Sequence, residues 1–164
     1  MRPIVVLLAV LGFADASAAS PMKYLIRVRA DKRIDFSKIR TYTWMAGWPA
    51  FDPSVDWQIE ADVDRELAAL GLTKLTAEPC DTLVTYAAIR RTDVDVKTKV
   101  SPDSDLRREY PAGTVIVMLL DPRNRRELFR GRADMPLPSD AARRRTQIRD
   151  AIAEMFSRYP TRKR

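Results

Sequence analysis

Two aspartates separated by one residue, Asp93 and Asp95, are the strongest candidates for a catalytic pair in this sequence. If the segment is a β-strand, both side chains lie on one face, with Cα atoms about 6.5–7 Å apart. Glycosidases hold acid–base carboxyl pairs at comparable separations, so a carboxylate-dependent hydrolase is one interpretation. Lys97 and Lys99 continue the same face, however, and charges of both signs are typical of a solvated outer sheet face. We therefore keep the hydrolase as the alternative and predict a non-enzymatic protein.

Other catalytic arrangements lack their usual residues. The sequence contains no histidine, which is the usual general base near neutral pH and the commonest transition-metal ligand. Its five glycines form neither a phosphate-binding loop nor a dinucleotide motif. Ser37 beside Lys38, and Ser101 near Lys99, are Ser–Lys candidates without the context of an activated serine. We predict no catalytic residue, no metal and no cofactor.

The N-terminal segment, residues 1–19, has the three parts of a secretory signal peptide. Arg2 supplies a positive charge, residues 4–13 form an apolar run, and small residues follow. This order predicts cleavage after Ala18 or, as the next best site, after Ala19. The apolar run is about half of the ~20 residues that a membrane span requires, so we predict no transmembrane segment in the mature chain. The expected location is the periplasm or the exterior of the cell.

The cysteine content points to a soluble exported protein. No cysteine directly follows the apolar run, so lipid attachment at that position is not expected. Cys80 is the only cysteine, and it is predicted to be either a buried packing residue or an intermolecular link. Residues 20–160 have the length of a single domain. Residues 161–164 are predicted to be a basic tail.

Aromatic residues concentrate in one proline-flanked segment. Trp44, Trp48 and Trp57 are the three tryptophans of the chain, and Phe51 lies between the last two. Large amphipathic rings supply contact area for ligands, so Trp48, Phe51 and Trp57 are candidates for lining a ligand groove. The alternative is that Trp44 belongs to the core and the others cap the first helix.

Arginines concentrate at the start of the last predicted helix, at Arg143, Arg144 and Arg145, in a chain of formal net charge +7. A dense basic surface attracts anions. Because export is predicted, the expected partners are anionic envelope components or another envelope protein, and not nucleic acid. The alternative is a solvated basic surface without a ligand. The sequence leaves the oligomeric state open.

Two amphipathic helices are predicted from hydrophobic periodicity. The first begins at Asp52-Pro53, where a capping oxygen precedes proline, and ends at Gly71. Its buried face is predicted to be Ile59, Val63, Leu67 and Leu70, and its solvated face Glu60, Asp62, Asp64, Arg65 and Glu66. The second begins near Ser139 and ends at Pro160, with an apolar face of Ile148, Ile152, Met155, Phe156 and Tyr159.

Seven strands are predicted, at residues 24–30, 41–44, 72–76, 82–89, 94–100, 114–120 and 128–133. The segment 35–39 between the first two is predicted to be a tight helical turn, and 101–111 a polar loop. The order is strand, strand, helix, several strands, helix. The economical packing of that order is a two-layer α+β domain, in which both helices cover one face of a mostly antiparallel sheet of about six to seven strands.

The ordered set of motifs resembles the bacterial envelope family called domain of unknown function 4136, many of whose members are lipoproteins. Motifs along nearly the whole mature chain carry the resemblance: Asp35-Phe36-Ser37, Thr41-Tyr42-Thr43-Trp44, Asp81 to Tyr86, Gly113-Thr114, Asp121-Pro122, and Leu128 to Gly131. The resemblance implies an envelope protein with this fold. It implies no catalytic residues and no activity, so we predict a binding or scaffolding module.

Overall fold

A computed structural model describes residues 25–50, 52–94 and 109–162 of the chain. The strands are β1 (Leu25–Ala30), β2 (Thr41–Trp44), β3 (Thr73–Lys74), β4 (Thr82–Val94), β5 (Glu109–Leu120) and β6 (Glu127–Pro136). The helices are α1 (Pro53–Ala69) and α2 (Ala141–Ser157). The predicted signal peptide with its cleavage sites, Phe51, Asp95 and the last two residues of the predicted tail lie outside the described residues.

The six strands form one open sheet in the order β1-β6-β5-β4-β2-β3. The pairs β1–β6, β6–β5 and β5–β4 are antiparallel, whereas β2 pairs in parallel with both β3 and β4. The predicted α+β class and the two helices are confirmed, but the parallel pairs were not predicted. The β2–β3 pair is parallel because α1 connects the two strands, and a helical crossover brings the chain back to run in the same direction. Residues 75–81 then return the chain to the start of β4, on the other side of β2.

Both helices pack on one face of the sheet and enclose the core. Val84, Val117 and Phe129 project from β4, β5 and β6 into a cluster that contains Ile59 of α1 and Ile152 of α2, all fully buried. Close approach of α2 depends on Gly131 of β6, since a Cβ there would lie 2.9 Å from the Cβ of Met155. We call the opposite face of the sheet, which the helices do not cover, the outer face.

Helix α1 begins and ends as predicted, but the acidic residues predicted to be solvated are partly or fully buried. The Asp52 carboxylate caps the first turn by accepting a hydrogen bond from the Ser54 N–H, and Gly71 adopts a φ of 83° after the last turn. Asp62, predicted to be solvated, is 6% exposed. Asp64 and Glu66 are partly buried and bind groups from other elements. Charged residues at the edges of the apolar stripe are thus part of the packing.

Several element boundaries also differ from the predictions. β4 continues without a break to Val94, so the start of the strand predicted at 94–100 is the end of β4. β5 begins at Glu109, inside the predicted polar loop, and pairs with the extended β4. The strand predicted at 72–76 contains only the two residues of β3. α2 ends at Ser157, and Tyr159 follows it as a buried residue.

A one-residue irregularity follows β2 and changes the face on which Trp48 lies. Trp44 pairs with Val84, but Trp48 pairs with Ala87, so the chain after β2 advances four residues while β4 advances three. Because side chains alternate between faces, the extra residue moves Trp48 to the outer face, opposite to Trp44. Gly47 permits this step, since a Cβ there would lie 2.5 Å from the carbonyl oxygen of Tyr86.

Candidate ligand-binding site

A cavity of about 370 Å³ lies between one end of the sheet and the N-terminal ends of both helices. We call it the helix-end cavity. Its walls come from the segment before α1, the first turns of α1 and α2, and the adjoining parts of β4, β5 and β6. Five separate stretches of the chain therefore contribute to it. Its volume falls within the range of about 300–1,000 Å³ typical of small-molecule sites.

The lining of the helix-end cavity is mainly apolar. Its apolar side chains include Val55, Ala88, Val115, Met135, Leu137 and Ile148. Val115, Met135 and Ile148 are at most 5% exposed and belong to the buried core, whereas Val55 and Ala88 are half-buried. The cavity therefore runs from partly exposed side chains to the packed interior, as an apolar ligand requires.

Among the residues that the structure describes, three with charged side chains line the cavity: Asp52, Arg90 and Arg144. Arg144 is half-buried, and its Nη1 donates a hydrogen bond to the Pro138 carbonyl oxygen at 3.2 Å. Hydrogen bonds from Ser54 lower the pKa of Asp52, and the positive charge of Arg144 lowers it further. The Asp52 carboxylate is occupied as the cap of α1, accepting from the Ser54 hydroxyl at 2.8 Å. The two guanidinium groups are therefore the lining groups suited to an anion.

The structure separates the predicted arginine triplet. Arg144 lines the helix-end cavity, whereas its neighbours Arg143 and Arg145 are exposed and are not among the described lining residues. The Asp140 carboxylate accepts a hydrogen bond from the Arg143 N–H at 2.7 Å and so caps α2. The Arg145 carbonyl accepts from Gln58 of α1 at 2.6 Å. An anion-binding role for all three arginines stays a prediction.

The predicted aromatic groove is only partly described. Trp48 and Trp57 are 78% and 75% exposed, and neither is among the described residues that line the helix-end cavity. Trp48 lies on the outer face of the sheet. Trp57 precedes the buried Ile59 by two residues, about 200° around the helix, so it lies on the solvent side of α1. Trp44 packs against the core, as the alternative interpretation stated.

Sequence reasoning did not find most residues of the cavity. Ala88, Val115 and Met135 were predicted, if at all, as ordinary strand positions. One local signal was present in Gly113, where a Cβ would lie 2.8 Å from Cδ2 of Leu137. A glycine within a strand indicates that another group approaches the backbone closely. Here that group is the chain that leads from β6 into α2.

Asp93, the described member of the predicted carboxylate pair, is ion-paired on the outer face. Arg91 donates to it through Nε at 2.8 Å and through Nη2 at 3.1 Å. The same guanidinium contacts the Thr114 hydroxyl, which donates to Asp134 at 2.6 Å. Arg132 donates to both Asp134 oxygens at 2.8 Å. Both Asp93 oxygens therefore accept from a guanidinium.

This network predicts a pH-dependent contribution from Asp134. Hydrogen bonds from Arg132, and then from Thr114, hold the pKa of Asp134 at about 2, although burial acts to raise it. Because the pKa is lower in the folded state, ionised Asp134 stabilises the fold at pH values above its unfolded-state pKa of about 3.9. This contribution is lost as the pH falls towards 2. Asp134→Asn should lower the free energy of unfolding by about 2 kcal/mol at pH 6 and much less at pH 2. Urea unfolding at both pH values measures this.

The matched control for that experiment is Asp150→Asn. Its carboxylate is 51% exposed and lies 3.6 Å from Arg149. Exposed ion pairs contribute little, so the control should unfold like the wild type at both pH values. A loss for Asp134→Asn that is equal at pH 6 and pH 2 would contradict the assigned origin.

A second cavity, of about 520 Å³, lies at the opposite end of the sheet and is lined by Cys80, Asp81, Asp121 and Arg123 among others. Asp81 already accepts three hydrogen bonds from Arg40 and Thr41, which lower its pKa. Cys80 is only partly buried, contrary to the prediction of a buried packing residue, and burial raises the pKa of its thiol. Because the Asp81 carboxylate is already hydrogen-bonded and the Cys80 thiol is not activated, this cavity is the weaker candidate for a ligand-binding site.

The described residues contain neither a metal-binding cluster nor a membrane-spanning helix. No group of three or more Asp, Glu or Cys side chains in residues 25–50, 52–94 and 109–162 could hold a metal ion. Within the same ranges, neither helix has the length and apolarity needed to cross a membrane.

Comparison with solved structures shows the same fold in other proteins. Two crystal forms of the PelC dodecamer from Paraburkholderia phytofirmans, one of a point variant, are 14% identical to the chain, with TM-scores of 0.56 and 0.54. The matches cover 82% of this chain and 95% and 96% of PelC. A PDZ domain protein from Parabacteroides distasonis is 17% identical, with a TM-score of 0.55, over 87% of this chain and 36% of that protein.

Curated proteins and family models give contrasting results. No curated protein matches the chain. The model of the family described as Domain of unknown function (DUF4136) matches residues 26–161, from the second residue of β1 to beyond the end of α2. The match covers most of the chain and confirms the resemblance seen in the sequence motifs. The chain belongs to the DUF4136 family.

Proposed function

We propose that the protein is a non-enzymatic binding module of the cell envelope, and that its helix-end cavity takes the apolar chain of a ligand with an anionic end. The apolar cavity with Arg144 in its lining carries this proposal. The apolar walls would hold the chain, while Arg90 and Arg144 would neutralise the anionic end. A charge-assisted hydrogen bond to a guanidinium adds both affinity and orientation.

The proposed location rests on the sequence. Residues 1–19 have the order of a secretory signal peptide, and many members of the resembled family are envelope proteins. An exported protein meets amphiphilic anions at the membrane surfaces that it faces. The hydrolase alternative gains no support from Asp93, since Arg91 occupies both of its carboxylate oxygens.

A titration with a dansyl-labelled fatty acid tests the proposal. Ala88→Leu should weaken binding about tenfold, because the added methyl groups fill space that the apolar chain would use. Ala87→Leu is the matched control, because Ala87 is its neighbour on β4 but lies on the outer face. Arg144→Gln should also weaken binding about tenfold, while Arg143→Gln should leave it unchanged.

Two further measurements make the titration decisive. Since PelC forms a dodecamer, light scattering establishes the mass in solution, so that stoichiometry is expressed per chain. A dansyl-labelled alkyl amine of the same length should bind at least tenfold more weakly than the acid if the guanidinium groups select an anion. Equal affinity of Ala88→Leu and wild type for the fatty acid would exclude this cavity as the site.

A further inference from the structure

Four arginines form a square on the outer face, at the β1 edge of the sheet. Arg27 lies directly opposite Arg132, and Arg29 lies directly opposite Arg130, in the β1–β6 register. Their shared face is the outer one, because the intervening Ile26, Val28 and Ala30 of β1 pack against the core. Neighbouring corners are about 7 Å apart along a strand and about 5 Å apart across the pair. We call this set the arginine square.

The arginine square carries more positive charge than its neighbours neutralise. Arg132 is paired with Asp134 at 2.8 Å, and Arg130 with Glu127 at 3.4 Å. Arg27 and Arg29 are exposed, and none of the ion pairs between described residues includes either of them. Like charges placed directly opposite each other destabilise a sheet. A bound anion would remove that cost.

Protection of the sheet edge does not account for this arrangement. β1 is an edge strand, and a charged side chain on such a strand discourages pairing with other chains. A single charged residue on β1 would be enough to protect the edge. Acidic residues opposite it on β6 would give the same protection without repulsion between the two strands. Two consecutive Arg–Arg pairs concentrate charge instead. Guanidinium groups are suited to phosphate and carboxylate oxygens because they donate two parallel hydrogen bonds.

Exposed apolar side chains lie on the same face as the square. Leu25, 50% exposed, precedes Arg27 by two residues on β1. Trp48, 78% exposed, shares the face of its partner Ala87. Ile89, 47% exposed, follows Ala87 by two residues on β4 and so shares that face too. The outer face therefore combines cations near one edge with an exposed tryptophan and isoleucine towards the other.

We infer that the outer face docks the protein on an anionic lipid surface. The arginine square would contact headgroup phosphates, and Trp48 with Ile89 would enter the interfacial region, where tryptophan is enriched. Stable peripheral attachment requires two signals, and the outer face supplies both a basic patch and apolar groups. A soluble polyanion would need the arginines but would leave the exposed tryptophan and isoleucine without a role. This inference does not depend on the helix-end cavity.

Co-sedimentation with vesicles tests the inference. The protein should bind vesicles of phosphatidylglycerol and phosphatidylcholine at low salt, bind pure phosphatidylcholine at least tenfold more weakly, and lose affinity in high salt. The double variant Arg27→Gln/Arg29→Gln should bind the anionic vesicles at least about tenfold more weakly. Trp48→Ala should bind several-fold more weakly and should lose the blue shift of tryptophan emission on binding. Circular dichroism of each variant establishes that it is folded.

Matched variants on the helix side serve as controls. Arg143→Gln/Arg145→Gln removes the same charge, and Trp57→Ala removes an equally exposed tryptophan from α1. Both should bind as the wild type does. A loss of vesicle binding in the Arg143/Arg145 variant alone would overturn the inference in favour of the basic surface that the sequence predicts at the start of α2. All variants carry the same N-terminus, established by mass spectrometry. Equal losses in the Arg27/Arg29 and Arg143/Arg145 variants would overturn the inference, because binding would then follow net charge. Binding to polygalacturonate but not to anionic vesicles would overturn it in favour of a soluble polyanion.

Discussion

Replacement of Asp64 by alanine is expected to lower the free energy of unfolding by about 3 kcal/mol. Asp64 Oδ1 accepts hydrogen bonds from the Tyr42 hydroxyl and from Trp44 Nε1, each at 2.8 Å, and Oδ2 accepts from Lys74 Nζ at 2.7 Å. One carboxylate of α1 thus binds three donors of β2 and β3. Tyr42 is 2% exposed, so the alanine variant leaves a buried hydroxyl without its acceptor.

Urea unfolding followed by near-ultraviolet circular dichroism measures this effect, since Tyr42 and Trp44 are among the aromatic residues that give the signal. Asp64→Asn should lose less than alanine, because its carbonyl oxygen still accepts a hydrogen bond while the ion pair with Lys74 is lost. Asp150→Ala, at the exposed pair with Arg149, should unfold like the wild type. An Asp64→Ala variant with the wild-type midpoint would show that the three donors find other partners.

Asp64 also shows why the helices could be predicted and their polar contacts could not. The apolar stripe of α1 follows from residue spacing within one segment, and its capping residues follow from local chemistry. Whether a carboxylate beside that stripe meets water or a tyrosine depends on a strand some twenty residues away. The same reasoning applies to Glu66, which accepts a hydrogen bond from Arg162 at 3.0 Å, almost a hundred residues along the chain. Hydrophobic periodicity predicts which apolar residues are buried. It does not predict which polar residues are buried, because their burial depends on hydrogen-bond partners.

The pairing register of the strands limits what could be predicted of the outer face and of the helix-end cavity. The period-two pattern of β1 and β6 predicts both strands, but the arginine square depends on which residues are opposite each other. The extra residue at Gly47 moves Trp48 to the outer face, and a regular strand would have placed it beside the helices. The helix-end cavity combines five chain segments, so only the order of the elements, and none of its walls, followed from the sequence.

Phe129→Ala is expected to have the largest effect on stability, about 4 kcal/mol. Phe129 is fully buried and stacks on Phe156 with a centroid distance of 5.5 Å. It also lies 5.2 Å from the ring of Tyr159, which in turn meets Phe36 edge-on at 5.2 Å. The four rings join β6, the C-terminal end of α2 with the residue Tyr159 that follows it, and the 3-10 turn Phe36–Lys38 between β1 and β2. An alanine at position 129 would leave a cavity at their centre.

Thermal and urea unfolding of a graded series separates this packing from general destabilisation. Phe129→Leu should lose about 1.5 kcal/mol, because most of the volume is kept. Leu25→Ala, at a half-exposed position of β1, should lose less than 1 kcal/mol by the same reasoning, since little of its surface is buried. A double-mutant cycle of Phe129→Leu with Phe156→Leu should give a coupling of about 0.5–1.5 kcal/mol for the stacked pair. A coupling of zero would show that the two rings stabilise the fold only through the area that each buries.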